Sequence, residues 1–491
     1  MRFHNVVWYT GVLIVACMLQ SAVINAGLVA GTLLTPFIRE TEMECIFTDR
    51  ITLPFDKEEP DRFRIGEVII RGNTRTQERV IRRVLYTIPG DYFSREKLIR
   101  SVRELQMLNY FKPGTIQPEL QFEDDETVTI IFNLEEQSSD TYNVSVGYTP
   151  GFGFTGGLGV SFNNFDLRRP FRGGAGQQLQ LNWQFGEPGT FRTFRISFTE
   201  PWLYDTPTLF GIDLFDTRER IFIDHHRTGA AIRLGRQFQW PDDNTRGRWI
   251  IRGQRNDVTE NQDIFLPGVS THFGVTQIVN RNSTDHPVFP IRGSDVTITN
   301  KIAGGPLLPG NVEFHHHIIE VNSYTAIFNA ERFTIAAKTK TASLFPLNDA
   351  SRIPPIELYF MGGTGLGQFN TVSLRGYADR SVGPVDEQGN PVGGQAITVS
   401  TIEFRYAPLL DSYTIYFLAF AEAGNVWKEL WDARVSELRR SAGIGIRISV
   451  PWLGMMGFDY AYGFDTVFVP PDRRHEIPGW QFHFQVGRDF W

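Results

Sequence analysis

Three groups of residues have types and spacings that could do chemistry, and none completes a site. His315-His-His317 offers imidazoles, but neighbours on a strand point to opposite faces, so only His315 and His317 could share an ion and a third ligand is not evident. The glycines of residues 362–367 are spaced as in a phosphate loop, yet no Lys-Ser/Thr follows. Asp124 and Asp125 lie in an acidic turn and are expected to face solvent. We therefore predict no enzyme activity, no metal and no cofactor.

The surrounding elements are strands, because side chains after Ser139 alternate with a period of two. Residues 178–185 place Leu179, Leu181, Trp183 and Phe185 on one face and polar residues on the other, and residues 142–148, 194–199, 442–450 and 480–487 repeat this. In lipid only a closed barrel leaves no strand edge unpaired. At roughly 22 residues per strand and turn, residues 140–491 predict a mainly β fold, a 16-stranded transmembrane antiparallel β-barrel with a water-filled interior.

Composition excludes other classes of protein. Aromatic residues make up 13% and charged residues 21% of the chain, with 46 glycines and a mean hydropathy of −0.21, which is typical of many short strands and turns rather than a helical bundle. A net charge of −7 provides no basic excess for nucleic acid. Residues 1–38 predict a secretory signal or an anchor. Ile14-Val-Ala-Cys17 also matches a lipoprotein cleavage box, so acylation of Cys17 stays an alternative.

A small α/β module precedes the strands, with the order β-α-α-β-β. Residues 63–70 alternate as a strand. Thr74 and Gln77 have capping-box spacing and predict a helix that turns Val80, Ile81, Val84 and Leu85 to one face. Ser94 is expected to cap a second helix, and strands are expected at residues 116–122 and 127–134.

The module resembles a POTRA domain, and more narrowly the barrel-proximal POTRA domain of the BamA-like branch, and the strand region resembles the Omp85 superfamily. Residues 71–85, Pro89-Gly90, Phe93-Ser94 and residues 108–111 carry the first resemblance, which we assign to residues 62–138. Residues 51–60 are similar to the last strand of a preceding POTRA domain, so residues 39–61 are expected to be a linker or remnant. Residues 164–173, 198–203, 282–293, 373–377 and 420–427 carry the second resemblance.

The most specific motif is Leu374-Arg375-Gly376-Tyr377, similar to the family's signature on a sixth external loop that folds back into the barrel. The resemblance therefore places Arg375 inside, where a guanidinium needs an acceptor and a bidentate carboxylate is the strongest. Glu422, at the family's usual aspartate position, is the expected partner, and Glu403 and Asp459 are alternatives. The alternative interpretation is that Arg375 only caps a solvated loop on the surface.

The resemblance implies an outer-membrane protein that assembles and inserts other β-barrel proteins without nucleotide. A weak seam between the first and last strands would pair with a client strand, and its residues would be Tyr142, Val144, Val146, Phe482, Phe484 and Val486. The expected partners are unfolded outer-membrane β-barrel proteins, periplasmic chaperones, accessory assembly lipoproteins and the lipid bilayer, with no nucleic acid. The chain ends one residue beyond the family's terminal aromatic, with Phe490 in that place and Trp491 after it.

Three other functions remain open from the sequence. An Omp85-type secretion porin would export a single partner protein, although such transporters usually carry two POTRA domains and a plug helix. An organellar homologue with one POTRA domain would fit the domain count but would lack a signal-like start. A simple diffusion porin is disfavoured by the POTRA module and by the Arg-Gly-Tyr loop.

Overall fold

The computed structural model describes residues 63–487, apart from residues 113–114, 125, 150–152, 187–190, 221–223, 259–267, 287–288, 306–307, 328–331, 349–352, 355–356, 365–369, 388, 410–414, 451–453 and 468–478. The expectations for residues 1–61, including Cys17, and for Phe490 and Trp491 lie outside this range. No described helix is long and apolar enough to cross a membrane. The contacts divide the chain into two compact units, with the boundary between Leu234 and Gly235.

The first unit begins with the small α/β module in the predicted order β-α-α-β-β. Its elements are β1 (Arg64–Arg71), α1 (Glu78–Arg82), α2 (Arg95–Met107), β2 (Gln117–Asp124) and β3 (Thr127–Asn133). β3 lies in the middle of the sheet, parallel to β1 and antiparallel to β2. The apolar faces of both helices pack on this sheet, and Ile81, Leu98 and Leu105 are fully buried. Each such side chain stabilises the fold by roughly 1.5–3 kcal/mol.

One of the two predicted helix caps is confirmed and the other is wrong. The Ser94 hydroxyl accepts a hydrogen bond from the N–H of Lys97 at the start of α2. The first helix begins at Glu78, four residues after Thr74, and its N-cap residue Gln77 makes no side-chain cap. Thr74 does not cap because its hydroxyl and its N–H both donate to Glu136 instead.

The Glu136 carboxylate binds three successive backbone amides. It accepts from the N–H groups of Thr74 (3.0 Å), Arg75 (2.8 Å) and Thr76 (2.6 Å), and from the Thr74 hydroxyl (2.6 Å). Partial burial raises the pKa of Glu136, but the hydrogen bonds from Thr74, Thr76 and Arg75 outweigh it and lower the pKa to about 2. The segment before α1 is therefore held by a fixed negative charge.

The same segment binds the turn that follows the second strand of the large sheet. Arg75 Nε donates to the carbonyl oxygen of Arg172 (3.0 Å), and Asn164 Nδ2 donates to Thr76 Oγ1 (2.9 Å). A side chain on Gly174 would place its Cβ 2.0 Å from the carbonyl oxygen of Arg75, so only glycine fits there. The module and this turn thus form one hydrogen-bonded body.

Sixteen strands form one antiparallel sheet, as predicted. They are β4 (Thr141–Thr149), β5 (Gly153–Phe165), β6 (Gln177–Gly186), β7 (Phe191–Glu200), β8 (Thr208–Glu219), β9 (His225–Gln237), β10 (Thr245–Val258), β11 (Gly268–Asn282), β12 (Gly293–Ala303), β13 (Phe314–Ala326), β14 (Phe333–Pro346), β17 (Ala396–Leu409), β18 (Ile415–Trp427), β19 (Arg439–Val450), β20 (Gly454–Gly463) and β21 (Trp480–Gly487). Each of these sixteen strands pairs with the one before and the one after it in this order, so β14 pairs with β17, and within the described residues the end strands β4 and β21 have one partner each.

The two faces of the sheet differ in exposure to solvent, and the inner face carries large apolar side chains as well as polar ones. On β18, Phe417 is exposed, whereas Tyr416, Leu418 and Phe420 are buried. Phe289, from the turn between β11 and β12, packs against Tyr416 with ring centroids 5.1 Å apart. The expectation of a water-filled interior is therefore wrong along β18, because large side chains fill the inner face there.

We predict that Glu136→Gln loosens the segment before α1. The amide of glutamine removes the charge and replaces one of the two accepting oxygens by a donor, and an N–H left unsatisfied costs roughly 1–3 kcal/mol. Hydrogen exchange of residues 74–76 in the full chain should accelerate at least about tenfold. Because the folded pKa lies below the ordinary value, the stabilisation is present above about pH 4.5 and is lost only as pH falls towards about 2.

Glu135→Gln is the matched control for this substitution. Glu135 pairs with Lys112 through exposed side chains, and such a pair contributes at most about 1 kcal/mol. Equal exchange in the two variants would contradict the role given to Glu136.

Candidate functional site

A long loop, residues 347–395, connects β14 to β17 and carries the Arg-Gly-Tyr motif. Within it, β15 (Tyr359–Met361) and β16 (Asn370–Val372) form a short parallel pair. Met361, Leu374 and Tyr377 are fully buried. They share one apolar cluster with residues of β13, β14, β17 and β18, namely Phe314, Leu344, Ile397, Val399 and Val426. The long loop therefore packs on the inner face of these strands.

Arg375 meets all three acids that the sequence singled out. Its Nε donates to Glu422 Oε1 (2.8 Å), and its backbone N–H donates to Glu422 Oε2 (2.8 Å). Its Nη2 donates to Glu403 Oε1 (3.1 Å), and its Nη1 to Asp459 Oδ1 (3.3 Å). The guanidinium carbon lies 3.4 Å from the centre of the Phe420 ring, an arrangement that adds cation–π attraction. The three acids come from β17, β18 and β20, so one side chain ties the loop to three strands.

A second tier of cations balances these carboxylates. Arg405 Nε donates to Glu403 Oε2 (2.9 Å), and Arg447 makes two hydrogen bonds of 2.9 Å to Asp459. Lys338 Nζ lies 3.6 Å from Glu403. Together with the loop arginine, these cations face the three carboxylates in one buried cluster of the described residues. Nearly every group in the cluster is buried, so removing any one of them leaves its partners as unpaired buried charges, which strongly destabilises the fold.

The two residues after Arg375 explain why the motif reads Gly-Tyr. Gly376 has φ +88°, and a Cβ there would lie 2.9 Å from backbone atoms of β20, so no side chain fits. Its N–H donates to His483 Nε2 (2.9 Å). The Tyr377 hydroxyl donates to the carbonyl oxygen of Arg440 (2.7 Å) and accepts from the N–H of Asp465 (3.1 Å).

The long loop also holds the last strand, β21, from the inside. His483 is buried on that strand, and two residues further on Gln485 Nε2 donates to the carbonyl oxygen of Thr364 (2.8 Å). Phe482 and Phe484 alternate with them and are exposed on the outer face. The loop thus binds the inner face of β21 and leaves its outer face uncovered.

The residues expected on the first strand lie on β4, which pairs with β5. Tyr142 is exposed, and Val144 and Val146 stand opposite Leu158 and Gly156 in the backbone register. The side chains of Val144, Val146 and Val486 lie outside the described residues.

A second attachment of the long loop was not found from sequence. Glu357 accepts two hydrogen bonds of 2.9 Å from Lys301 Nζ on β12, and His272 Nδ1 lies 4.0 Å away. Next to it, the Tyr359 hydroxyl and His316 Nε2 share a short hydrogen bond. The loop is therefore fixed at two separate places by ion pairs that are withdrawn from solvent.

Arg405 and Arg447 were not predicted, although the sequence around each of them indicates an inward position. Arg405 lies between Phe404 and Tyr406, and Arg447 lies between Ile446 and Ile448. A charged residue between two outward apolar neighbours must point inward, which is the argument that located Glu403. No comparable signal marks Glu357, because it lies in an irregular loop.

The motifs set aside as chemistry have structural surroundings. The rings of His315 and His317 lie side by side, and His317 Nδ1 is 2.6 Å from Asn300 Oδ1. Among the described residues, no group of three potential ligands could hold a metal ion. Gly362 and Gly363 both have positive φ, at +128° and +61°, and form the turn after β15.

Two family models match the chain. One is described as "Omp85 superfamily domain" and matches residues 172–490, and the other, POTRA, is described as "Surface antigen variable number repeat" and matches residues 63–137. The outer membrane protein assembly factor BamA of Nitratidesulfovibrio vulgaris is 26% identical over 437 residues, which cover 87% of this chain and 51% of the relative. The chain spans about half the length of the curated BamA relatives it matches. These relatives are named as assembly factors.

Solved structures share the fold. BamA from Haemophilus ducreyi lacking POTRA domains 1–3 superposes with a TM-score of 0.64 at 20% identity, covering 87% of this chain and 84% of that one. CdiB from Acinetobacter baumannii superposes with a TM-score of 0.52 at 12% identity, covering 87% and 74%. Both likenesses concern the fold alone.

We predict that Arg375→Ala releases the long loop from the inner face. Removing one partner of a buried ionic cluster costs about 3–5 kcal/mol. Hydrogen exchange of residues 373–377 should accelerate, and the folded band in semi-native electrophoresis should be lost at a lower temperature. The control is Arg434→Ala, since Arg434 is exposed and 4.0 Å from Glu437. Unchanged exchange at residues 373–377 would show that the cluster does not hold the loop.

Acid variants separate the three partners in the same measurement. Glu422→Gln should expose residues 373–377 most, because Glu422 binds both the backbone and the side chain of Arg375. Glu403→Gln and Asp459→Asn should instead destabilise the sheet, since they leave the buried Arg405 and Arg447 without their carboxylate partners. Exchanging Arg375 and Glu422 should not restore stability, because the new carboxylate would face two others.

We predict that Lys301→Met loosens the second attachment without loosening the first. The substitution leaves the buried Glu357 carboxylate without its cation, so hydrogen exchange should rise at residues 357–361 and stay unchanged at residues 373–377. Lys301→Met with Glu357→Gln should restore much of the protection, because neither group then carries an unpaired charge. Loss of protection at both places would show that the two attachments are one unit.

Proposed function

The chain belongs to the Omp85 superfamily and lies in the outer membrane with its POTRA domain in the periplasm, and from this we propose that it assembles and inserts outer-membrane β-barrel proteins. The curated relatives are named for that activity. The observation that carries the proposal is the long loop fixed inside the sheet by Arg375, with β21 bound to it through His483 and Gln485.

This arrangement supports templating at a strand edge. Among the described residues β21 pairs with β20 alone, and its other edge offers backbone donors and acceptors that a client strand can pair with. The loop holds the inner face of β21, so the strand keeps its shape while its partner changes. Pairing and lipid burial of the client's apolar face supply the free energy, and therefore no nucleotide is needed.

The POTRA domain has one edge suited to capturing extended clients. The outer edge of β1 is covered at its start, where Gly90 N–H donates to Ile65 and Phe93 N–H donates to Phe63. β2 lies at the other edge of the sheet, beyond β3. We propose that β2 pairs with unfolded barrel proteins delivered by periplasmic chaperones, and that accessory lipoproteins bind nearby on the same side of the membrane.

A secretion porin is the second candidate, because the fold is also shared with CdiB. Such a transporter would export one partner through the interior of its barrel. The curated relatives, which are named as assembly factors, favour assembly instead, because an inward-folded loop is expected throughout the family. A single-POTRA organellar homologue would share the assembly mechanism and differ only in its location.

We predict that a photo-crosslinking amino acid at Phe482 on β21 captures newly made barrel proteins. Phe482 is exposed on an end strand. The control is the same amino acid at Ile298, which is exposed on β12 with a strand on either side.

Depletion of the protein should lower the amounts of many outer-membrane barrel proteins in a proteome measurement. Loss of one secreted protein with normal barrel proteins would identify a secretion porin.

A further inference from the structure

The turn between β5 and β6 exposes six consecutive residues that mix large apolar side chains with positive charge. Residues 167–172 read Leu-Arg-Arg-Pro-Phe-Arg, and all six are exposed. Phe171 is as exposed as in an isolated peptide, at 107%, and Leu167 is 61% exposed. No carboxylate among the described residues is hydrogen-bonded to the guanidinium groups of Arg168, Arg169 or Arg172. Exposed apolar and cationic side chains together in one short turn are typical of a binding surface.

The turn is held in one shape by its own backbone. The N–H groups of Arg172 and Gly173 both donate to the carbonyl oxygen of Arg169 (3.0 Å each), and Arg169 N–H donates to that of Asp166 (3.0 Å). Arg168 N–H donates to the Asp166 carboxylate (2.9 Å). The apolar side chains are therefore presented on a preformed frame, which lowers the entropy cost of binding.

Two contacts show on which side and which face of the sheet this turn lies. Its side of the sheet is the periplasmic one, because the POTRA segment binds its base through Thr76 and Asn164. Leu167 N–H donates to Gln177 Oε1 (2.7 Å). Gln177 shares a face of β6 with Leu179 and Trp183, since side chains on a strand alternate. That face is the lipid-facing one, so the turn begins on the outer side of the sheet at its periplasmic rim.

We propose that residues 167–172 are a membrane-surface anchor that binds the anionic phospholipids of the periplasmic leaflet. Leu167 and Phe171 enter the boundary between headgroups and acyl chains, where amphipathic and aromatic side chains concentrate. Arg168, Arg169 and Arg172 bind lipid phosphates, which guanidinium groups do with paired hydrogen bonds. Position on the outer rim favours lipid over an acidic protein as the occupant.

The anchor also links the POTRA domain to the membrane surface. Arg75 Nε donates to the carbonyl oxygen of Arg172, and Gln77 N–H donates to that of Gly174 (2.8 Å). The residue that would bind phosphate through its side chain thus binds the POTRA domain through its backbone. Lipid binding is expected to fix the height of the POTRA domain relative to the bilayer.

The first test places an environment-sensitive fluorophore at residue 171. The full chain carries Phe171→Cys with Cys17→Ser and Cys45→Ser, and is reconstituted into vesicles of equal parts phosphatidylcholine and phosphatidylglycerol. Emission should shift to shorter wavelength, and lipids spin-labelled near the headgroup should quench it. The control, Met107→Cys, lies on the exposed side of α2 and should report water. A water-like signal at residue 171 would overturn the proposal, and protection of that site only in native membranes would assign it to a protein.

The second test measures the lipid charge preference. Each arginine at an anionic surface strengthens binding about fivefold, so Arg168→Gln with Arg169→Gln should weaken binding of spin-labelled phosphatidylglycerol about 25-fold. Phosphatidylcholine binding should not change. Arg95→Gln with Arg103→Gln, on exposed positions of α2, is the matched control. Heat-modifiable migration should be retained in both double variants. An unchanged preference for phosphatidylglycerol would overturn the assignment.

Discussion

A guanidinium withdrawn from water is stable only where carboxylates surround it, and this requirement organises the larger unit of the chain. Arg375 is bound by acids from three strands, and two of those acids bind further arginines from inward positions. The cluster therefore connects β14, β17, β18, β19 and β20. Each charge is stable only while the others stay in place, which makes the position of the long loop all-or-none.

The second attachment gives the loop a fixed direction as well as a fixed position. The pair of Glu357 with Lys301 holds its entering limb to β12, and the Arg375 cluster holds its returning limb to β17 through β20. Between them the short parallel strands β15 and β16 keep the limbs together. The loop thus crosses the inner face as a braced element, and β21 takes its inner contacts from it.

Much of this was predictable because alternation is a local property of sequence. The period of two predicts the strands and the inward direction of Glu403, and the length of the region predicts their number. The same alternation locates Arg405 and Arg447. The partner of Arg375 could not be decided that way, since all three acids converge on it and their heights depend on strand register. The spacing of Thr74 to Gln77 predicts a helix cap, whereas Glu136, 62 residues away, competes for the same hydroxyl. Glu357 carries no periodic signal, so only the folded loop reveals its partner.

The position of the loop also constrains how this protein itself is made. The loop precedes β17 to β21 in the chain, yet it covers the inner faces of those strands, and Arg375 lies 84 residues before Asp459. A sheet completed first would have to admit a charged loop into a packed interior, so we expect the loop and the last five strands to come together in one event. The newly synthesised chain thus folds its C-terminal third around an internal core, and a stalled or shortened product lacking β20 would leave Arg375 without part of its charge balance.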